Sequence, residues 1–125
     1  MSVALWCVLV AGLLPYLASA LAKFPNRKNY DNHNPRAWLA GQTGMAARAN
    51  AAQANSFEAF PFFAAAVLVA TLAHAPQSRI DVLSLIFVGA RMVYIACYIA
   101  DKPSLRSLVW LIGMVSLVGI FVAAA

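Results

Sequence analysis

Charged residues divide the chain into four long apolar stretches. Met1 to Ala22 carries no charge at all. Lys23 to Asn34, KFPNRKNYDNHN, is the one long polar stretch. A second apolar run starts at Pro35 and lasts to about His74, just before Ala75-Pro76. A third continues from Val82 to Ala100 with Arg91 as its interruption, and Asp101-Lys102-Pro103 ends it. The fourth has Arg106 in its first turn and no charge afterwards. At about 1.5 Å per residue, the first run covers about 33 Å, enough for a bilayer core. The pattern predicts an all-α, four-transmembrane-helix bundle in a single domain. Its helices are expected over about residues 2–22, 35–74, 79–100 and 103–124.

The boundaries carry recognisable end signals. Asn34-Pro35 suits a helix start, with Asn as N-cap and Pro at the first helical position. Ser78 with Asp81 three residues on resembles a capping box. Pro103 suits the first position of the last helix. Pro61 removes one helical hydrogen bond and is expected to bend the second helix. At about 1.5 Å per residue that helix would approach 60 Å, so its first part should project into the interface or water. Gly41 and Gly44 read as a close-packing patch. His33 reads as a solvated loop residue, His74 as interfacial, and Tyr30 and Trp38 as interface anchors.

Composition agrees with the pattern. The chain is 63% hydrophobic and 10% charged, with a mean hydropathy of +0.76. Soluble domains are about 45–50% apolar and about 25% charged. The net charge of +5 therefore reads as topology and contact with membrane lipids, with no nucleic-acid partner. Lys23, Arg27, Lys28 and Arg36 flank the first connection and Lys102 and Arg106 the third; the second has only Arg79. Positive charge predicts that loops one and three are cytoplasmic and both termini outside. Leu17-Ala-Ser-Ala could be a signal-peptide cleavage site, but no Lys or Arg precedes it, which favours a retained first helix. Cys7 and Cys97 are too few and too far apart for a disulfide framework or a metal site, and are expected to pack.

The candidate chemistry starts at Arg48 to Ala70, RANAAQANSFEAFPFFAAAVLVA. A carboxylate in a membrane-length segment costs roughly 2.5–3.5 kcal/mol at the centre, so Glu58 points to a use. On an ideal helix, Asn55 lies about 20° and Glu58 about 80° from Arg48, while Gln53 faces roughly the opposite way. On the third helix, Arg91, Tyr94 and Tyr98 form a stripe. Arg106 and Ser107 stand at the start of the fourth, where free N–H groups and the helix dipole favour an anion. Guanidinium groups, one carboxylate and several hydroxyls suit a small zwitterion with more than one carboxylate. An Arg at a helix N-terminus also favours thiolate over thiol. The competing structural reading is an Arg91–Glu58 ion pair tying helices two and three.

At these residues the sequence resembles the MAPEG family, the membrane-associated proteins of eicosanoid and glutathione metabolism. The marks are R-A-x-x-x-Q-x-N-x-x-E-x-F-P at Arg48 to Pro61, R-x-x-Y-x-x-x-Y at Arg91 to Tyr98, and K-P-x-x-R-S at Lys102 to Ser107. The first loop looks like a bacterial branch, which implies the inner membrane. The resemblance implies a homotrimer that binds glutathione between subunits near the cytoplasmic side. By position, Asn55 and Glu58 would hold glutathione, with Glu58 on its amino group. Tyr94 and Tyr98 would line the site, and Gln53 matches a ligand-contacting position. Arg106 would stabilise the thiolate, with Ser107 beside it, and a hydrophobic electrophile would arrive from the bilayer. Arg48 and Arg91 complete the expected binding set, and no metal is implied.

The sequence departs from that pattern where the family's enzymes carry a further Arg: Ala51 and Ala54 stand there, and Ala59 follows Glu58. The expected activity is that of a membrane glutathione transferase or peroxidase acting on hydrophobic electrophiles. The alternative is a non-catalytic lipid- or small-molecule-binding protein of the same fold. A small multidrug transporter would carry its membrane carboxylate on the first helix, which here has no charge.

Overall fold

The computed structural model describes residues 1–125. It contains five α-helices: α1 Val3–Lys23, α2 Pro35–Ala40, α3 Gly44–Leu72, α4 Gln77–Ile99 and α5 Pro103–Ala123. A short 3₁₀ turn, Phe24–Asn26, extends α1. Four of these helices, all but α2, are long and apolar enough to cross a membrane. Helix α1 packs on α3 and α4, α5 packs on α4 and α3, and α3 and α4 also touch each other.

Small residues set how closely the helices approach. Ala4, Ala11, Ala18 and Ala22 recur along the buried stripe of α1. Ala46, Ala49, Ala52, Ala66 and Ala70 do the same on α3. Between membrane helices there is little hydrophobic drive, so association depends on close backbone approach and packing. Gly12 shows how tight it is: an added Cβ would lie 3.2 Å from the Phe60 ring. Below this seam, Phe63 and Phe87 stack with centroids 4.1 Å apart, among Val67, Ile80, Leu117 and Ile120. The large side chains left outside, such as Leu13, Leu17, Leu72, Leu85, Leu111 and Val115, form the apolar exterior that hydrocarbon requires.

Four local expectations are corrected. The helix predicted over 35–74 is two helices, broken at Gly41–Thr43. Gly44 takes φ +61°, a left-handed conformation open to glycine and strained for other residues. No heavy atom lies within 4 Å of where a Gly44 Cβ would stand, so Gly41 and Gly44 form a corner and not a packing patch. Asn34 and Pro35 occupy the expected positions, yet Asn34 makes no side-chain cap. The Ser78–Asp81 capping box does not form. Helix α4 starts two residues earlier, behind Pro76, and Asp81 Oδ1 accepts from Ala4 N (2.8 Å) and Gln77 Nε2 (2.8 Å). Asp81 thus serves the free N–H groups of α1, where Ser2 Oγ accepts from Leu5 N.

Pro61 lies within an uninterrupted α3, as Pro15 does within α1. Leu17-Ala-Ser-Ala is part of α1, with Ala18 and Ser19 buried. Cys7 and Cys97 are free and buried.

Candidate functional site

Helices α3 and α4 are joined by the tight turn at Ala73–Pro76, so depth can be counted from that turn. Glu58 lies 14 residues before the end of α3, and Arg91 lies 14 residues after the start of α4. Both are therefore about 21 Å from the turn, at one level of the bundle. A cleft of about 180 Å³ opens there between α3, α4 and α5. Asn55, Glu58 and Arg91 supply its polar wall. Phe62, Phe87, Trp110, Met114 and Leu117 supply the apolar wall, with Gly113 among them.

The predicted faces are what bring this wall together. Asn55 and Glu58 share the cleft as the 100° wheel requires, with Ala59 and Phe62 continuing the stripe. Arg91 is only 4% exposed. Its guanidinium donates to Ser56 Oγ (3.2 Å) and lies 4.2 Å from the centroid of the Tyr94 ring. The Arg91–Glu58 ion pair is not formed; no Arg or Lys comes within 4.0 Å of a carboxylate anywhere in the chain. Glu58 is exposed. Asn55 Oδ1 is buried and has no hydrogen-bond partner. A buried carbonyl without a donor is uncommon and costs about 1–3 kcal/mol.

The ladder above the cleft is aromatic and cationic. Tyr94 meets Tyr98 edge-on with centroids 5.6 Å apart, and Arg106 lies 4.2 Å over the Tyr98 ring. Arg106 is three residues into α5, about 4.5 Å from its start, whereas Arg91 is eight residues from the end of α4, about 12 Å. The two guanidinium groups thus occupy successive levels. Arg106 is half-buried, nearer the α4–α5 turn.

Of the nine expected site residues, Asn55, Glu58 and Arg91 line the cleft; Tyr94, Tyr98 and Arg106 form the ladder beyond it, and the other three are elsewhere. Arg48 donates from Nε (3.2 Å) and NH2 (3.0 Å) to the carbonyl of Ile99, one of the free carbonyls at the end of α4. Gln53 lines a separate groove with Arg36, Leu39, Asn50, Ala54 and Phe57, as its opposite helical face dictates. Ser107 is exposed and does not line the cleft. Residue-by-residue reading missed Trp110, Met114 and Leu117. Their signal is the spacing from Arg106, at i+4, i+8 and i+11 on one face of α5.

Comparison with known proteins adds the family. The model of the MAPEG family matches residues 3–125. No curated protein and no solved structure matches the chain. The family match covers nearly the whole all-helical chain, including the four membrane-length helices and the cleft between them. The chain is an integral membrane protein and belongs to the MAPEG family.

Proposed function

We propose that the cleft binds glutathione and that the protein is a membrane glutathione transferase or peroxidase for hydrophobic electrophiles. One observation carries this reading. The cleft combines an orphaned buried carbonyl on Asn55, a buried guanidinium on Arg91 whose one hydrogen bond goes to a neutral hydroxyl, and a free carboxylate on Glu58. A ligand carrying ammonium, amide and carboxylate groups answers all three deficits together, and glutathione carries them. Glu58 accepts from its ammonium, Asn55 Oδ1 accepts an N–H, and Arg91 donates to a carboxylate. Members of the family generally use glutathione, which supports the assignment.

In this reading Arg106 is the catalytic residue. Stacked on Tyr98, one level nearer the α4–α5 turn than Arg91, it stabilises the thiolate by its charge while the proton leaves to interfacial water. The sulfur then bonds to the electrophilic atom, and the leaving group departs with the electron pair. With a hydroperoxide, the sulfur takes the terminal oxygen as the O–O bond breaks, the alkoxide leaves with the electron pair and is protonated to the alcohol, and a second glutathione converts the resulting sulfenic acid to disulfide and water. Phe62, Phe87, Trp110, Met114 and Leu117 keep the hydrophobic partner out of water. The homotrimer, the inner-membrane location and cytoplasmic loops one and three belong to the same proposal, as does a neighbouring subunit covering the open side of the cleft.

The test is a glutathione titration of the purified protein, following thiolate absorbance in the ultraviolet, with Arg106→Ala beside it. A band that saturates in the parent and is lost in a folded Arg106→Ala variant is expected. Turnover left intact in Arg106→Ala would refute the catalytic assignment. Ala51, Ala54 and Ala59 favour a second reading, because none supplies a group for glutathione's carboxylates. There the cleft holds a lipid or small molecule without turnover, and millimolar glutathione gives no band.

A further inference from the structure

Across the α3–α4 seam from the cleft, the bundle holds a second and much smaller cavity. It measures about 10 Å³ and lies between α1, α3 and α4. Ala11 and Leu14 line it from α1, and Ser56 and Phe60 from α3. Ala59, Phe87 and Arg91 face both this cavity and the cleft. Arg91 is the charged member of those three, so its side chain stands between a ligand space in front and a small void behind. What holds the guanidinium at the front therefore bears on what the cleft can bind.

Ser56 is placed to do this. It lines the cavity and not the cleft, and it is 4% exposed. Its Oγ accepts from Arg91 NH2 at 3.2 Å, the one hydrogen bond that the guanidinium makes inside the chain. Hydroxyls within helices commonly turn back to their own backbone. Thr71 Oγ1 donates to the Val67 carbonyl (2.8 Å), and Ser116 Oγ to that of Gly113 (2.7 Å). Ser56 makes no such bond; its hydroxyl is spent on Arg91. Packing does not call for a hydroxyl here either. The other buried residues of α3 are all apolar, and most are alanines.

We infer that Ser56 is a positioning residue for ligand binding: its hydroxyl holds the Arg91 guanidinium forward in the cleft from a place that no ligand in the cleft touches. This role rests on the reading of the cleft as a glutathione site. A guanidinium carries five N–H donors, so one bond to Ser56 leaves others for a carboxylate. The second contact of Arg91, the Tyr94 ring at 4.2 Å, attracts the cation without fixing the direction of its N–H groups. Without the Ser56 oxygen the void behind gains an atom's space, and the long side chain is free to draw back into it. The carboxylate then meets a guanidinium that must first be ordered, which weakens binding.

The full-length protein in detergent would be titrated by calorimetry with glutathione and with glutathione diethyl ester, which keeps the ammonium and thiol and has no carboxylate. Ser56→Ala should bind glutathione roughly threefold to tenfold more weakly than the parent. It should bind the diester as the parent does. In an Arg91→Met background, Ser56→Ala should have no further effect, because the residue acts through Arg91. Ser56→Thr keeps the hydroxyl and should bind glutathione within about twofold of the parent. Equal weakening for glutathione and the diester would mean a general loss of packing and overturn this role. So would a Thr variant as weak as the Ala variant, or a further loss in the Arg91→Met background. Failure of Ser56→Ala to fold would make the hydroxyl a structural element and also overturn it. A parent that binds no glutathione would remove the cleft reading and this role together. A parent that binds it, with Ser56→Ala equal to it, would remove this role alone.

Discussion

Replacing Arg91 by Met separates a ligand-binding role from a structural one. The guanidinium is 4% exposed and about 12 Å from the end of α4. Insertion scales put the cost of such a charge at about 2.5–3.5 kcal/mol. Two contacts oppose that cost. The bond to Ser56 Oγ is charge-assisted, worth about 1.5–3 kcal/mol in general, though hydrogen bonds between membrane helices average only about 0.6. The Tyr94 face contributes about 2 kcal/mol when desolvated. The terms nearly cancel. Met is unbranched, apolar and able to fill the same channel, so Arg91→Met should change stability by no more than about 1 kcal/mol. Breaking a buried ion pair would instead cost about 3–5 kcal/mol.

Glutathione affinity should respond differently. Losing one charged hydrogen bond of about 1.5–3 kcal/mol weakens binding by roughly tenfold to a hundredfold. Stability would be read from reversible unfolding in mixed micelles, using fluorescence of Trp6, Trp38 and Trp110. Binding would be read by calorimetry on the same preparations. A variant that loses more than about 3 kcal/mol of stability while binding glutathione normally would refute the argument and restore Arg91 as a structural element.

Other predictions follow from single contacts. Arg48→Lys keeps the charge but loses the two-nitrogen grip on the Ile99 carbonyl, so it should cost about 1–2 kcal/mol by the same unfolding assay. A large loss of glutathione affinity at unchanged stability would instead make Arg48 a ligand donor. Asp81→Ala removes the acceptor for Ala4 N and should cost about 1–2 kcal/mol, seen also as faster amide exchange in the first turn of α1, with glutathione binding unchanged. Gly44→Ala should destabilise by about 1–2 kcal/mol, because its φ of +61° is unfavourable for an L side chain. Gly89→Ala has no atom within 4 Å of the new Cβ and sits inside α4, so it should be neutral or stabilising by up to about 1 kcal/mol.

What the sequence made legible was periodic. Asn55 and Glu58 fall on one face, Gln53 on the other, and Arg91, Tyr94 and Tyr98 in one stripe, because an uninterrupted helix enforces 100° per residue whatever its neighbours do. The errors lie where tertiary partners compete for a local signal. Asp81 has the spacing of a capping residue for its own helix, yet it serves α1, whose N-terminal amides lie beside it. Arg48 has the right face for the cleft, but the free carbonyls ending α4 reach it first. The break before Gly44 was hidden because Gly41 and Gly44 fit close packing as readily as a corner. Only the left-handed backbone at Gly44 distinguishes the two.

The fates of the three arginines bear on the chemistry more than their shared charge does. Arg48 has two of its nitrogens on one backbone carbonyl and acts through the position of α4. Arg91 has a hydroxyl partner and an aromatic face, and is buried; it has donors to spare but no access to bulk water. Arg106 has only an aromatic face and remains half-buried near the α4–α5 turn. A thiol that must release a proton needs a nearby cation and a route to water at one place. That combination favours Arg106 for the thiolate. It leaves Arg91 to a group that is already charged when it enters and needs no proton path, such as a carboxylate. If the assignments were reversed, Arg91→Met would abolish the thiolate band while Arg106→Ala would only weaken glutathione binding. Measuring both variants by absorbance and calorimetry decides between them.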